Sequence, residues 1–127
     1  MGQTLVIAEK PSVAGDIARA LGGFKKDGDF WVGESMIIGA AVGHLLEIKA
    51  PEEYDVKRGR WSFANLPVVP PYFDLQPIKS SQARFESLAK KIRSRTVTDI
   101  INACDAGREG ELIFRYIIQA TGTKKPI

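Results

Sequence analysis

Twice in this chain a short apolar run ends on an acidic side chain and gives way to a helical pattern. Those two units constrain the fold more than any other feature. The first is Thr4-Leu-Val-Ile-Ala8, followed by Glu9; the second is Asp99-Ile-Ile-Asn-Ala-Cys104, followed by Asp105. Uninterrupted apolar runs of this length, rich in β-branched residues, are what strands covered on both faces of a parallel sheet look like. After the first, Pro11-Ser12 opens a helix with Ser12 placed to cap it. Val13, Ile17 and Leu21 recur at four-residue spacing, Ala14 and Ala18 widen that face, and Gly22-Gly23 ends it. After the second, Asp105–Gly110 reads as a polar loop and Glu111–Ala120 as a helix, with Leu112, Ile113, Tyr116, Ile117 and Ala120 toward the core and Thr121-Gly122 as its stop. Strand–helix units at both ends predict an α/β sandwich, a mostly parallel central sheet flanked by helices.

Between them, Asp29–Val32 and Met36–Val42 read as strands joined by a turn at Gly33, Glu34 and Ser35. From Ala50 to Ser81 the periodicity dissolves. Pro51, Pro67, Pro70, Pro71 and Pro77 all fall there, with Trp61, Phe63, Tyr72 and Phe73 as aromatic anchors for an ordered connection or as stacking platforms for bases. Gln82–Arg93 returns to helical period through Phe85, Leu88, Ala89 and Ile92. Lys90, Lys91, Arg93 and Arg95 crowd its end, either as contacts to a nucleic-acid backbone or as the solvated, positively charged terminus of a helix. Lys124–Ile127 looks like the approach to a further strand. The expectation is a single domain over 1–127, cut before its last strand, with no internal repeat.

Composition narrows the chemistry. With 127 residues, 44% of them hydrophobic, the chain suffices for one cored domain. The apolar run Met36–Val42 is far too short to span a bilayer, and no signal-peptide core precedes Glu9 and Lys10, so a soluble, cytoplasmic protein is expected. A single cysteine, Cys104, and a single histidine, His44, rule out an internal disulfide and any Cys- or His-rich zinc site. A metal would therefore sit on oxygen ligands, which suits Mg2+ or Mn2+. The net charge of +3 is compatible with a polyanionic partner without requiring one.

If the two acid-tipped strands lie side by side and parallel, Glu9 and Asp105 emerge at one carboxyl edge, where open α/β sheets place their ligands. The loop Asp105-Ala-Gly-Arg-Glu-Gly-Glu111 adds acids and a cation at the start of a helix. Close carboxylates, a divalent cation and the fixed charges of Lys10 and Arg108 suggest phosphoryl transfer, with Glu9 as proton donor to a leaving alkoxide. The plainer alternative stays open at this point: Glu109 and Glu111 complement a helix dipole, and Glu9 and Asp105 pair with Lys10 and Arg108 in solution. His44 reads as a lone histidine satisfied by a neighbouring backbone group. Cys104 reads as a small buried residue rather than a reactive thiol. Gly-Arg-Glu-Gly lacks the Gly-Lys-Ser/Thr ending of a P-loop.

Ile7-Ala-Glu-Lys-Pro-Ser12 and Ala103-Cys-Asp-Ala-Gly-Arg-Glu-Gly-Glu111 together resemble the amino-terminal Toprim domain of type IA DNA topoisomerases, in the form carried by the bacterial topoisomerase III branch. Gly43-His-Leu-Leu-Glu47 resembles the family's glycine–histidine segment, a likeness that implies a place for His44 near a DNA phosphate. Tyr54 and Asp55, Arg60-Trp61, and Leu66-Pro67 with Pro70 resemble its middle stretch, so the likeness runs through the whole chain.

That resemblance implies a magnesium-dependent, ATP-independent isomerase. Such an enzyme cuts one DNA strand, passes another through and reseals the first, relaxing negative supercoils and decatenating. It implies Glu9 as general acid–base at the ribose 3′-oxygen, Lys10 and Arg108 as phosphate-holding groups, and Glu9, Asp105 and Glu109 as metal ligands. The general Toprim pattern has a second aspartate where this chain has Gly107, so a single ion is expected. Family members cleave through a tyrosine in a later domain, and none of Tyr54, Tyr72 and Tyr116 matches it. The chain alone is then half an active site, acting on single-stranded or negatively supercoiled DNA with the tyrosine-bearing remainder, in the cytoplasm at the nucleoid. The competing readings are a free-standing Toprim nuclease or primase-like metalloprotein and a non-catalytic DNA-binding module.

Overall fold

The computed structural model describes residues 2–49 and 74–127. The expectations placed on Pro51, Tyr54, Asp55, Arg60, Trp61, Phe63, Leu66, Pro67, Pro70, Pro71, Tyr72 and Phe73 lie outside the described residues.

The first apolar run becomes strand β1, Gln3–Ala8, and it takes the centre of a five-stranded sheet. Strand β4, Met36–Ala40, pairs with it in parallel on one side, with Leu5 opposite Ile37. Strand β7, Val97–Ala103, pairs in parallel on the other, with Leu5 opposite Ile100 and Ala8 opposite Ala103. The uninterrupted run is explained by cover on both faces. Leu5 and Ile7 pack with Ile100, Ile92, Phe114 and Ile117 beneath two helices, α2 (Gln82–Arg93) and α3 (Arg108–Thr121). Val6 and Ala8 face the opposite way, against Ala14 and Ala18 of helix α1, Pro11–Leu21. The side chains α1 buries are small, so it lies close to the sheet. Each fully buried Leu, Ile or Phe contributes about 2 kcal/mol, and these central positions dominate the core.

The sheet is mixed at its other end. Two short strands, β2 (Lys25–Asp27) and β3 (Phe30–Val32), add antiparallel beyond β4, giving the order β2-β3-β4-β1-β7. β2 is exposed at all three positions and carries no hydrophobic signal, which is why its sequence did not announce it. Strand β5, Leu46–Ile48, pairs antiparallel with β6, Leu75–Pro77, as a separate two-stranded sheet. Pro77 is tolerated because an edge position needs no donor there. The expected loss of pattern up to Ser81 thus conceals a strand.

Several expectations need correction. Ser12 does not cap α1: Lys10 is the capping residue, in extended conformation and without a side-chain cap, and Pro11 takes the first helical position, where a missing N–H costs nothing. The second acid-tipped strand starts at Val97 and ends at Ala103, one residue before Cys104. α3 begins at Arg108, inside the expected loop, and buries Gly110, Ile113, Phe114 and Ile117. Leu112 remains 39% exposed, so the core stripe is rotated toward Phe114. Beyond α3, the Ile100 N–H donates to the Pro126 carbonyl at 2.9 Å along the outer side of β7. No helix among the described residues is long and apolar enough to cross a membrane.

Candidate active site

Because β4, β1 and β7 are adjacent and parallel, their carboxyl ends form one edge, and each delivers a polar group to it. Glu9 follows β1 directly. Asp105 follows β7 after Cys104, in an exposed turn closed by the Gly107 N–H donating to the Asp105 carbonyl at 2.8 Å. The juxtaposition expected of Glu9 and Asp105 is therefore present in the fold.

β4 delivers the third group through a strained turn. The Ala41 N–H donates to the Ala8 carbonyl and the Val42 N–H to the Glu9 carbonyl, each at 2.9 Å, carrying the parallel pairing one step past both strands. Val42 then adopts φ 60° and Gly43 φ 79°. Left-handed backbone costs a β-branched residue about 1–2 kcal/mol, so the pairing to Glu9 is held against strain. The turn brings His44 to the start of α3, where its Nε2 lies 3.3 Å from Glu109 Oε1. His44 is thus partnered by a carboxylate, which neither reading of the sequence anticipated.

The tightest packing lies between Glu9 and α3. A Cβ on Gly110 would stand 2.2 Å from the Asp105 carbonyl oxygen and 2.9 Å from Glu9 Oε1, so only glycine admits this approach. Glu9 Oε1 is shut off from solvent and has no hydrogen-bond partner among the described residues. Leaving a buried carboxylate oxygen unsatisfied is costly, and such an atom is expected where a ligand completes the site. Sequence reasoning missed Gly110 because it read the residue as the end of the polar loop; only the start of α3 at Arg108 puts it on the buried face of a helix.

Among the described residues, neither Glu9 nor Asp105 forms an ion pair with Lys10 or Arg108, both of which are exposed. The plainer alternative of mutually paired loop charges is therefore not what the fold adopts. Glu111 does follow the structural reading. Its Oε1 accepts from Arg115 Nε at 2.6 Å and its Oε2 from Asn102 Nδ2 at 3.1 Å, while Asn102 Oδ1 accepts the Cys104 N–H at 3.1 Å. Asn102 so ties the end of β7 to α3 and fixes the backbone leading into Asp105.

The Arg115 hydrogen bond, with its charge and the Asn102 amide, holds the Glu111 carboxyl below its ordinary value of 4.5. A depressed carboxylate stabilises the fold above its unfolded value and loses that contribution as pH falls through its folded one. The stability difference between wild type and Glu111→Gln should accordingly be present at neutral pH and vanish in acid melts below the ordinary glutamate range. A difference unchanged from neutral to strongly acidic pH would dissociate Glu111 from Arg115. Burial, with the charges of Glu9, Asp105 and Glu111 behind it, pushes the Cys104 thiol up to about 11. The thiol therefore stays protonated at neutral pH, as suits a small packing residue.

Among the described residues no three His, Cys, Asp or Glu side chains cluster closely enough to hold a metal ion. Glu9, Asp105 and Glu109 share the edge without forming a cage, and Glu109, exposed on the first turn of α3, meets His44 instead. The donor chemistry nonetheless suits magnesium. Hard carboxylate oxygens are present, one of them orphaned, and magnesium commonly takes only one or two carboxylates, filling its shell with water and substrate phosphate.

A mixed α/β sheet whose parallel strands share this acid edge, with this loop before α3, defines a class: the chain belongs to the Toprim family, whose domain model matches residues 4–126. Over all 127 residues it is 43% identical to DNA topoisomerase 3 of Bacillus thuringiensis (strain Al Hakam) and to that of Bacillus anthracis, and 39% identical to DNA topoisomerase 3 of Bacillus subtilis (strain 168). The chain spans only 17 or 18% of the length of these curated relatives.

Proposed function

We propose that this domain supplies the acid–base and metal-binding half of a type IA DNA topoisomerase active site, acting on single-stranded or negatively supercoiled DNA. The observation that carries the reading is the buried, unpartnered Glu9 Oε1 at the edge it shares with Asp105. Glu9 holds the proton exchanged with the ribose 3′-oxygen, in the manner of a positioned general acid and base. Lys10 and Arg108, exposed on either side of that edge, meet the phosphate oxygens. Asp105 and Glu9, with Glu109, would hold magnesium; the ion would supply charge neutralisation at the scissile phosphate. The nucleophilic tyrosine comes from further chain: Tyr116 packs against the hydrophobic core. A cytoplasmic, nucleoid-associated location goes with this reading.

A calorimetric magnesium titration of the chain beside its Asp105→Asn variant tests it. Binding that the variant loses is the expected result. Equal binding by both would remove Asp105 from the site.

Gly107 offers a finer test. It caps α3 with no side chain, in extended backbone, and a Cβ there would meet nothing within 4 Å. Aspartate and asparagine both cap well, so each should raise stability by a few tenths of a kcal/mol. Only Gly107→Asp adds a carboxylate, and it alone should tighten magnesium binding. Equal magnesium affinity of the Asp and Asn variants would show that this position does not face the ion.

A further inference from the structure

We propose that the basic surface where α2 runs into β7 is a second nucleic-acid contact, holding backbone phosphates away from the acid edge. Lys90, Lys91, Arg93 and Arg95 fall together there, and Lys90, Arg93 and Arg95 are exposed. The ordinary duty of cations at a helix carboxyl end is to satisfy the last carbonyls and offset the negative end of the dipole. In this protein another residue performs it. Lys125 Nζ donates to the Ile92 carbonyl and, at 2.6 Å, to the Ser94 carbonyl.

Lys90, Lys91, Arg93 and Arg95 donate to neither of these carbonyls, and none of the four forms an ion pair among the described residues. Lys91 lies over the Phe30 ring, 5.2 Å from its centroid. Asp27 and Asp29 line a hollow of about 390 Å³ beside Lys90 and Lys91, and Asp29 is engaged by Arg84 at 3.5 Å. Arg93 and Arg95, outside that hollow, carry uncompensated charge into solvent. The patch sits at the opposite edge of the sheet from Glu9: the Thr96 carbonyl accepts the Gln3 N–H at 2.6 Å where β1 begins, and Glu9 follows where β1 ends. Six strand residues put the two about 20 Å apart. A nucleic acid touching both is gripped at two places. The choice of nucleic acid as the polyanion rests on the proposed function; the unpaired positive surface does not.

The test is fluorescence anisotropy of a labelled oligothymidylate with the full chain across a salt series. Replacing Lys90, Arg93 and Arg95 together by alanine should weaken binding at low salt at least about tenfold. It should also flatten the slope of log K against log salt by about 2, since each phosphate contact on a single strand contributes about 0.7. The melting temperature should stay unchanged because these side chains are exposed. Three results would each overturn the proposal: an unaltered slope and affinity in the triple variant, no binding by the wild-type chain at low salt, or displacement of the strand as readily by polyglutamate as by unlabelled oligonucleotide. The magnesium titration on Asp105 reads the acid edge separately, so loss of one reading leaves the other standing.

Discussion

Gly110→Ala is expected to lower the melting temperature of this domain by roughly 8 °C and to abolish the magnesium binding proposed for the acid edge. The added methyl would stand 2.2 Å from the Asp105 carbonyl oxygen, a backbone atom in a turn that cannot swing aside as a side chain can. Overpacking of this severity sits at the upper end of its range, about 3 kcal/mol. Alanine returns about 1 kcal/mol of helix preference, leaving a net loss of about 2 kcal/mol. Relief comes only by moving α3 off the loop or Glu9 off α3, and either parts the two carboxylates. Gly107→Ser, three residues earlier with open space around it, should melt at or above the wild-type temperature. A Gly110→Ala protein that melts like wild type and binds magnesium as well would show that the approach of α3 to Glu9 is looser than this packing.

Under the proposed function, Glu9→Gln in a longer polypeptide that carries the cleaving tyrosine should reduce strand cleavage and resealing by about 10²–10⁴-fold, the usual reach of one positioned proton-transfer group. Affinity for DNA should be nearly unchanged, because glutamine keeps the shape and adds no repulsion. The same substitution should leave the fold as stable or make it more so, since it replaces a carboxylate whose Oε1 is buried without a partner by a neutral amide. Lost chemistry with retained stability distinguishes an acid kept for function from one kept for packing. Wild-type turnover, or a fall in stability with no loss of rate, would remove Glu9 from the mechanism.

The parts of this fold legible in the sequence are those that a single strand or helix decides. Leu5–Ala8 had to be covered on both faces because four consecutive apolar side chains alternate between them, and Gln82–Arg93 had to be a helix because its apolar residues return at helical spacing. From the two strand ends, the shared edge of Glu9 and Asp105 followed by topology alone. What escaped depends on partners distant in the chain. β2 has no apolar side chain to reveal it, and β5 and β6 are three-residue strands made by pairing with each other. Phe114 rather than Leu112 faces the core because Gly110 must touch Asp105, which turns the helix about its axis. The partnership of His44 with Glu109 depends on the left-handed turn at Val42, a conformation that β-branched residues avoid and that no pattern would assign there.

The pairing of β1 with strands from both directions along the chain has a consequence for the order of events in folding. β4 lies near β1 in sequence, Leu5 opposite Ile37, but β7 must close a loop of 95 residues to set Thr4 beside Asp99. Loop closure of that length is slow, and nascent chain emerges from its amino end. A growing polypeptide holds Glu9 and β4 long before it holds Asp105, and in that interval β1 has one bare flank and an acid with no companion. On that order the carboxylate pair is expected to come together only when β7 docks. With the proposed metal site, magnesium affinity followed in time during refolding should report that docking.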